Sequence, residues 1–397
     1  MPEPLRIGLL THSVNPRGGV VHTLELAKAL HALGQRVTVF APAQPGETFF
    51  RPTPHEVDLV PVGPAPKDLA DRVGEHIDAF VAHLGRRLDH DRFDVLHAHD
   101  GIGGNALADL QDAGRIDGFV RTVHHLDPFD DPRLAVWQTR SVLRATQVLC
   151  VSSGWCATLK NDFGIEAALV NNGVDCERFN RVPCASDAAL AQRFGLRAGA
   201  PLFLAVGGIE ARKNSLRILD AFVQVRRELP AAQLVVAGGA SLLDHSEHAR
   251  AFHTLASSAG IEQGRDLVLT GPLPDDCMPA LFRLADALLM PSLREGFGLV
   301  VLEALACGTP VVVSQIAPFT EYLGDTVAAG HALYADPLDV ASIAQAMRRA
   351  IEPSRAAALA RRVPPVCRDY GWPASAARHV AIYQALRALA RAAAVLH

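Results

Sequence analysis

Short apolar runs alternate with longer amphipathic stretches along the chain, and this alternation predicts a parallel α/β fold. In the first half the runs predict buried strands at Arg6–Thr11, Val37–Ala41, Val57–Val62, Val95–Ala98, Phe119–Val123, Gln147–Val151 and Leu169–Asn171. Two helices are predicted between them, at Val20–Leu33 and Gly74–Leu88. Gly34 is expected to end the first helix, because glycine is common directly after the last helical residue.

The same pattern starts again near Pro201, which predicts a second doubly wound sheet. Its predicted strands are residues 201–208 (PLFLAVGG), Gln233–Ala237, Asp266–Thr270, Ala287–Met290 and Thr309–Ser314. Its predicted helices are Asn214–Glu228, Cys277–Asp286, Gly298–Cys307 and Ala341–Ile351. We therefore predict two domains, residues 1–180 and 197–372, joined near Asn180–Leu196. The tail, residues 373–397, is predicted to be an amphipathic helix.

Composition narrows the class of protein without defining its chemistry. At 397 residues and 49% hydrophobic content, the chain is long enough to bury the cores of two domains. A net charge of −4 without a polybasic segment gives no reason to expect binding to nucleic acid or to an anionic membrane. No apolar stretch reaches about 18 residues, so no membrane-spanning helix is expected. The seven cysteines form no C-x-x-C pair, which predicts buried, reduced thiols in a cytoplasmic protein.

The segment Pro291–Cys307, PSLREGFGLVVLEALAC, combines two carboxylates with the start of a helix. Glu295 and Glu303 are eight residues apart, and Gly296-Phe297-Gly298 forms the predicted turn between them. Glu303 then lies among apolar residues, where a carboxylate needs a polar partner. The diol of a ribose offers two hydroxyl donors to such a carboxylate.

The first turn of the same helix adds a second kind of binding group. The amide N–H groups of Gly298, Leu299 and Val300 have no carbonyl acceptor within the helix, and such a helix start suits a phosphate. One short segment is therefore predicted to bind the sugar, the diphosphate and the ribose of a nucleotide sugar.

The E-x7-E spacing, preceded by Pro291-Ser292 and followed by Gly308-Thr309-Pro310, resembles the retaining nucleotide-sugar glycosyltransferases of family 4, also called group 1. The resemblance implies the GT-B fold, in which two Rossmann-like, doubly wound parallel-sheet domains face a cleft. It implies that Glu295 contacts hydroxyls of the donor sugar and that Glu303 holds the ribose. It also implies that the C-terminal helix returns to the first domain, although the sequence alone equally allows a cap on the second.

Arg212 and Lys213 follow the strand that opens the second half, in the sequence GGIEARKN. A cationic loop between a strand and a helix suits a diphosphate, whose charge must be neutralised as the glycosidic bond breaks. The pair matches the R-K pair of the family, so the resemblance implies that both cations, and Lys213 above all, contact the donor diphosphate. Many members also carry an arginine directly after the first glycine, whereas this chain has Gly208.

Two glycine-containing turns are further candidates. Gly18-Gly19 follows the first strand but lacks the G-x-G-x-x-G fingerprint of dinucleotide-binding proteins. The resemblance implies that this loop approaches the donor phosphate, and an ordinary tight turn is the alternative. Gly271-Pro272 follows strand Asp266–Thr270, where the family backbone contacts the edge of the nucleobase. Its main-chain groups do not distinguish one base from another.

Histidines end two strands of the first half. His124 follows Phe119–Val123, and the resemblance places it beside the donor sugar, where it orients the ring and stabilises developing charge. His125 receives no role. His97, His99 and Asp100 end another strand, and together with the His124-His125 pair they raise the possibility of a zinc site. We expect His97 and His99 to point to opposite sides of the sheet, and the family shows a similar H-x-H without a required metal, so neither a metal nor another cofactor is expected.

The sequence therefore predicts a retaining glycosyltransferase that moves a hexosyl group from a nucleoside diphosphate sugar to an acceptor hydroxyl. The acceptor is not identified by the sequence, and a lipid acceptor would imply peripheral contact with a membrane. Two alternatives stay open, a nucleotide-sugar epimerase of the same fold and a non-catalytic protein that binds nucleotides or carbohydrates.

Overall fold

The computed structural model describes residues 3–239, 245–361 and 363–395, which form two compact units. Unit 1 comprises the residues up to Asn172 together with those from Trp372 onward, and unit 2 comprises Gly173–Gly371. The segment Asn180–Leu196, predicted as a junction, lies inside unit 2 and contains a helix, so that prediction was wrong. Leu190 is the only buried residue of this helix, which explains its weak apolar pattern.

Unit 1 contains a seven-stranded parallel sheet with helices between the strands. Its elements are β1 (Arg6–Leu10), α1 (Gly18–Ala32), β2 (Arg36–Ala43), β3 (Glu56–Pro61), α2 (Leu69–Leu88), β4 (Val95–Ala98), α3 (Gly101–Asp112), β5 (Val120–Val123), α4 (Pro132–Leu143), β6 (Gln147–Cys150), α5 (Ser153–Phe163) and β7 (Ala168–Leu169). The strand order is β3-β2-β1-β4-β5-β6-β7. The order reverses between β1 and β4, and ligands of such sheets bind at this switch point.

Unit 2 repeats this plan with six parallel strands in the order β10-β9-β8-β11-β12-β13. Its elements are α6 (Ala185–Phe194), β8 (Leu202–Val206), α7 (Ser215–Glu228), β9 (Gln233–Ala237), α8 (Ser246–Ser258), β10 (Leu267–Gly271), a 3₁₀ turn (Asp275–Cys277), α9 (Met278–Leu284), β11 (Ala287–Met290), α10 (Leu299–Ala306), β12 (Val311–Ser314), α11 (Phe319–Tyr322), α12 (Gly324–Ala328), β13 (Ala332–Ala335), α13 (Val340–Ala350), α14 (Pro353–Arg361) and α15 (Pro365–Asp369). Its switch point lies between β8 and β11.

Every predicted strand is present, with ends within two residues of the prediction. The pattern missed β13 and several helices, among them α3, α4, α5 and α8. Helix α3 was missed because glycines in its first turn weaken the helical signal. The same glycines permit close packing, since a Cβ atom on Gly104 would lie 2.7 Å from the Cβ of Ser141 in α4.

The last helix, α16 (Trp372–Val395), belongs to unit 1. Its Tyr383 is fully buried, and the Tyr383 hydroxyl lies 2.6 Å from Nδ1 of His97 in β4. Arg378 donates a 2.6 Å hydrogen bond to the Oδ1 of Asn171, at the end of the first part of unit 1. These contacts join α16 to the sheet domain formed by the first part of unit 1.

Two other predictions can be compared with the structure. None of the seven cysteines forms a disulfide bond, but Cys176 and Cys184 are exposed, so the prediction of buried thiols was wrong for these two. Within the described residues, no helix is both long and apolar enough to cross a membrane.

Candidate active site

Two loops meet at the switch point of the unit 2 sheet, one after β8 and one after β11. The amide of Leu293 in the second loop donates a 2.9 Å hydrogen bond to the carbonyl of Arg212 in the first. Asn214 donates its side-chain amide to the carbonyl of Pro291 at 2.9 Å and to that of Pro337 at 2.6 Å. The cationic loop and the Glu295 loop, predicted from separate motifs, are therefore held together.

Glu295 is the centre of the charged group formed by these loops. Its Oε2 lies 2.8 Å from Nζ of Lys213, and its Oε1 lies 3.3 Å from Nη1 of Arg212. Ser292 donates its hydroxyl to Oε2 at 3.4 Å, and the amide of Gly296 donates to Oε1 at 3.3 Å. The Glu295 side chain is only 10% exposed, so both oxygens are held by these donors and not by bulk water.

Burial by itself would raise the pKa of Glu295, but the charges of Lys213 and Arg212 outweigh it and lower the pKa to about 2. Glu295 is therefore ionised throughout the physiological range. Two cations face one carboxylate, and Arg212 also lies 3.7 Å from Oε2 of Glu210. The group is a preorganised set of donors and acceptors in a largely buried place, where such charges act strongly.

Gly207 and Gly208 shape the loop that carries the cations. Both have positive φ, 118° and 77°. A Cβ atom on Gly207 would lie 2.9 Å from Cε of Lys213, so the glycine makes room for the lysine stem. A Cβ atom on Gly208 would lie 2.6 Å from the carbonyl oxygen of Gly239. In this backbone an arginine at position 208 does not fit, which gives the departure from the family pattern a steric reason.

Gly271 and Pro272, the predicted contacts of the nucleobase, lie beside the same loop. The amide of Gly238 donates a 3.1 Å hydrogen bond to the carbonyl of Gly271. A Cβ atom on Gly239 would lie 2.8 Å from Cγ of Pro272. The glycine pair after β9 therefore lies against both the β8 loop and the β10 loop.

The turn before α10 is fixed by aromatic packing. Phe297 is buried and stacks on Tyr322 with ring centroids 4.9 Å apart, and the Tyr322 hydroxyl donates to the Phe297 carbonyl at 3.0 Å. A contact of Phe297 with a ligand would therefore come from its backbone. Gly298 has a φ of 86°, and a Cβ atom there would lie 2.6 Å from the ring of Phe319. This conformation starts α10, whose first residues are Leu299 and Val300.

Glu303 lies in the second turn of α10 and is partly exposed between the buried residues Leu302 and Ala304. The structure thus brings Lys213, Arg212 and Glu295 into direct contact. Glu303 lies in α10, the helix that follows the Glu295 loop.

In unit 1 the predicted residues meet near β1, β4 and β5. Helix α1 begins at Gly18, two residues earlier than predicted, so Gly18 and Gly19 form its first turn. A Cβ atom on Gly19 would lie 3.8 Å from the ring of His124. His124, directly after β5, is partly exposed, and its ring lies 4.5 Å from that of His22. His125 is exposed and pairs with Asp127 at 3.1 Å.

The expectation that His97 and His99 point to opposite sides of the sheet was wrong. Both are buried, and their ring centroids are 4.2 Å apart. The physical reason is the two-residue period of a strand, which places residues i and i+2 on the same face. Nδ1 of His97 lies 2.6 Å from the hydroxyl of Tyr383, and its Nε2 lies 2.8 Å from that of Thr122.

The imidazoles of this part of unit 1 are held in their neutral form. Burial, with a smaller effect from His379, lowers the pKa of His22 to about 3. Burial likewise lowers the pKa of His99 and of His124 well below the usual value, with repulsion from His97 and His22 respectively as the next cause. At neutral pH this part of unit 1 therefore presents uncharged imidazoles.

Comparison with known proteins identifies the family. Residues 16–178 match the model of glycosyltransferase family 4, and residues 187–364 match that of the group 1 glycosyl transferases. Over 402 aligned residues the chain is 32% identical to the D-inositol 3-phosphate glycosyltransferase of Xylanimonas cellulosilytica, and the alignment covers 92% of this chain and 91% of that protein. The chain belongs to the family 4, group 1 glycosyltransferases.

Several solved protein structures have the same fold as this glycosyltransferase. Sucrose-phosphate synthase from Thermosynechococcus elongatus is 21% identical with a TM-score of 0.79, and the match covers 96% of this chain and 99% of that one. The Anabaena HepE protein in complex with UDP and glucose is 18% identical with a TM-score of 0.76, covering 96% and 100% of the two chains. The predicted GT-B fold is confirmed.

Sequence reasoning missed several residues that build the site of this glycosyltransferase. Asn214 has a φ of 63°, the only non-glycine residue with positive φ among those described, and it joins the two loops. The left-handed conformation of Asn214 could have been suspected from an asparagine directly before a helix, because asparagine tolerates this conformation better than most residues. The Gly238-Gly239 pair and the contact between His22 and Asn172 had no local signal, since their partners lie far away in sequence.

Proposed function

We propose that this glycosyltransferase moves a hexosyl group from a nucleoside diphosphate sugar to a hydroxyl of a phosphorylated polyol, with retention of the anomeric configuration. The observation that carries the proposal is the ionised Glu295 held by Lys213 and Arg212, at 2.8 Å and 3.3 Å. An acceptor-only carboxylate beside two cations suits a ligand that has hydroxyls next to a diphosphate.

Lys213 and Arg212 are proposed to neutralise the charge that develops on the leaving diphosphate. Hydrogen-bond donors and cations that are already in position before the reaction stabilise such charge without the cost of reorienting water. The amides of Gly298, Leu299 and Val300 are proposed to add hydrogen bonds to the phosphate, as the start of a helix does elsewhere. Because two side-chain cations supply this charge, we propose that donor binding needs no metal ion.

Glu295 is proposed to accept hydrogen bonds from hydroxyls of the donor sugar, and Glu303 from the ribose. The acceptor hydroxyl is proposed to attack on the face that the leaving group departs from, without a covalent glycosyl-enzyme intermediate. His124 is proposed to orient the sugar beside the Gly18-Gly19 turn.

The acceptor class is proposed from the relatives. The similar protein of Xylanimonas cellulosilytica is named for inositol 3-phosphate, and the alignment with it spans nearly all of both chains. The HepE structures with UDP-glucose support a nucleotide-sugar donor, since that protein shares the fold. Neither comparison defines the base or the sugar that this chain uses.

The experiment has two steps, binding and transfer. Thermal unfolding is first followed with UDP, GDP, ADP and dTDP in turn, with and without EDTA. A ligand at 100 times its dissociation constant adds about 2.7 kcal/mol of stability, which shifts the midpoint visibly. We expect one nucleotide to shift the midpoint and EDTA to leave that shift unchanged.

The matching nucleotide sugars are then tested with inositol 3-phosphate and with unphosphorylated inositol, and the anomeric configuration of the product is read by proton NMR. Retained configuration with the phosphorylated acceptor is the expected result. An inverted product contradicts the proposed mechanism, and equal transfer to unphosphorylated inositol contradicts the acceptor class. Conversion of the donor to an epimer without transfer would favour the epimerase, and nucleotide binding without turnover would favour the non-catalytic protein.

A further inference from the structure

A group of imidazoles in unit 1 has the chemistry of a metal site. His22 lies in α1, His99 directly follows β4 and His124 directly follows β5. Their ring centroids are 5.0 Å apart for His22 and His99, 4.5 Å for His22 and His124, and 5.7 Å for His99 and His124. One ring nitrogen from each residue lies within 4.8 Å of the other two.

The hydrogen bonds around these rings leave several buried ring nitrogens without partners. Nδ1 of His22 lies 2.8 Å from Oδ1 of Asn172, and because that oxygen can only accept, Nδ1 carries the proton and Nε2 the lone pair. Nε2 of His22, both ring nitrogens of His99 and Nε2 of His124 are buried and have no hydrogen-bond partner among the described residues. His22 and His99 are 0% and 3% exposed, so bulk water does not replace the missing partners.

Buried nitrogens without partners are costly, and a group of them needs an explanation. A cation that accepts several lone pairs at once supplies one. The bond from His22 to Asn172 is also the arrangement that metal-binding histidines show, because a ring N–H held by an oxygen orients the other nitrogen toward the ion.

We propose that His22, His99 and His124 bind one Zn²⁺ ion in unit 1. Zinc binds imidazole at about 2.0–2.1 Å in tetrahedral geometry, which would bring the three nitrogens to about 3.4 Å from one another. Binding therefore requires the rings, whose nitrogens lie within 4.8 Å of one another, to rotate about their side-chain torsions and close around the ion. Three protein ligands leave the fourth position for a water or an anion, and an all-nitrogen ligand set favours zinc and its neighbours over Mg²⁺ or Ca²⁺.

Neighbouring histidines orient the site without being ligands. Both nitrogens of His97 are used by Tyr383 and Thr122, and its ring packs on His99 at 4.2 Å. His379 lies 6.4 Å from His22 by ring centroid, and its Nδ1 is 2.8 Å from the carbonyl of Ser375. Its Nε2 is buried without a partner among the described residues, but it does not belong to the group of nitrogens that lie within 4.8 Å of one another. The ion is therefore assigned to three of the five clustered rings.

Zinc at this site has a consequence for transfer that rests on the proposed function. His124 is proposed to orient the donor sugar, and a ring bound to zinc is no longer available for that role. Zinc is thus expected to inhibit transfer, while the ion itself is not needed for the reaction.

The test is titration of metal-free full-length protein with ZnCl₂ by calorimetry, and with CoCl₂ by absorption spectroscopy. We expect one equivalent of Zn²⁺ to bind, and the Co²⁺ form to show tetrahedral d–d bands without a thiolate charge-transfer band. His99→Gln and His124→Ala should each weaken zinc binding by more than the roughly 10–100-fold that loss of an outer-shell partner costs, because each removes a ligand. The matched control is His55→Gln, since His55 is also buried with both ring nitrogens unpartnered among the described residues but lies outside the group.

Circular dichroism checks that each variant is folded, and His124→Ala is the safest of them because His124 is partly exposed. No stoichiometric zinc binding to the wild-type protein would overturn the proposal. Unchanged affinity in folded His124→Ala, or a thiolate band with Co²⁺, would also overturn it by placing the ion elsewhere. Because these titrations contain no nucleotide, they stand even where the nucleotide experiments contradict the proposed function.

Discussion

At the scale of single residues, backbone conformation decides how the donor group is presented. Gly207 leaves space for the stem of Lys213, and Asn214 takes a left-handed conformation that directs its amide to two carbonyls of other loops. The Lys213 ammonium then reaches Glu295 at 2.8 Å. The charged group is thus a product of a few unusual φ angles as much as of charged side chains.

We predict that Lys213→Ala lowers kcat/KM for transfer by about 10²–10³-fold, the loss typical for one charge-stabilising donor. It should also abolish most of the thermal shift given by the matching nucleotide. The matched control is Arg348→Ala, a cation of the same unit that pairs with Glu228 at 3.0 Å away from the donor group. Wild-type kcat/KM in a folded Lys213→Ala protein would contradict the assignment of the diphosphate site.

A second residue-level prediction distinguishes two causes of destabilisation when a glycine is replaced by alanine, namely backbone strain at positive φ and a steric clash of the new Cβ atom. Gly208 and Gly199 both have a φ of 77°, but a Cβ atom at Gly208 meets the Gly239 carbonyl at 2.6 Å, whereas nothing lies within 4 Å of one at Gly199. Gly199→Ala should therefore lower the free energy of unfolding by only about 1–2 kcal/mol, the cost of the left-handed conformation. Gly208→Ala should lower it clearly further, measured by urea unfolding. Equal losses of unfolding free energy in the two variants would show that the β8 and β9 loops move apart without cost, and would contradict the prediction.

At the scale of elements, the terminal helix completes unit 1. Helix α16 follows α15 of unit 2 in sequence but packs with α1, and it places Tyr383 against His97 of the central strand β4. Helices α3 and α4 pack closely for a different reason, because Gly104 has no side chain that would collide with Ser141. Both contacts belong to unit 1, the unit that also carries His99 and His124.

We predict that Tyr383→Phe lowers the free energy of unfolding by about 1–3 kcal/mol, because it leaves Nδ1 of buried His97 without its partner while the ring packing stays. The control is Tyr334→Phe, which removes a longer 3.3 Å bond from a half-buried hydroxyl to the Phe319 carbonyl. Chemical unfolding of the two variants gives the comparison. An equal loss in both would show that the α16 hydroxyl adds nothing specific to unit 1.

At the scale of the whole molecule, two units with separate sheets and cores share a chain of modest net charge, −4. Unfolding need not be a single two-state transition in such a protein. The buried imidazoles lie in unit 1, so acid is expected to act on that unit first.

His55 gives this expectation a specific test. Burial, followed by repulsion from His31 and Arg51, lowers the pKa of His55 from 6.5 to about 4. Between these values the unfolded chain binds a proton that the folded chain does not, so the stability present above pH 6.5 is lost as the pH falls toward 4. His55→Gln should therefore flatten the dependence of the free energy of unfolding on pH between 6.5 and 4. The same slope in the variant and the wild type would contradict the lowered pKa.

The sequence by itself determined the local features of this protein. The period of apolar residues predicted every strand except β13, and the spacing of Glu295, Gly298 and Glu303 predicted both the family and the loop before α10. These features are readable because they depend on residues that are close along the chain, where strand period, glycine turns and helix starts have local causes.

Only the tertiary structure decided which distant residues meet. His22 reaches Asn172 across 150 residues, His97 reaches Tyr383 across 286, and Lys213 reaches Glu295 across 82. It also corrected the orientation of His97 and His99 and the position of the junction. Such pairings depend on strand order and on packing of the whole unit, which place in contact residues whose spacing along the chain carries no signal.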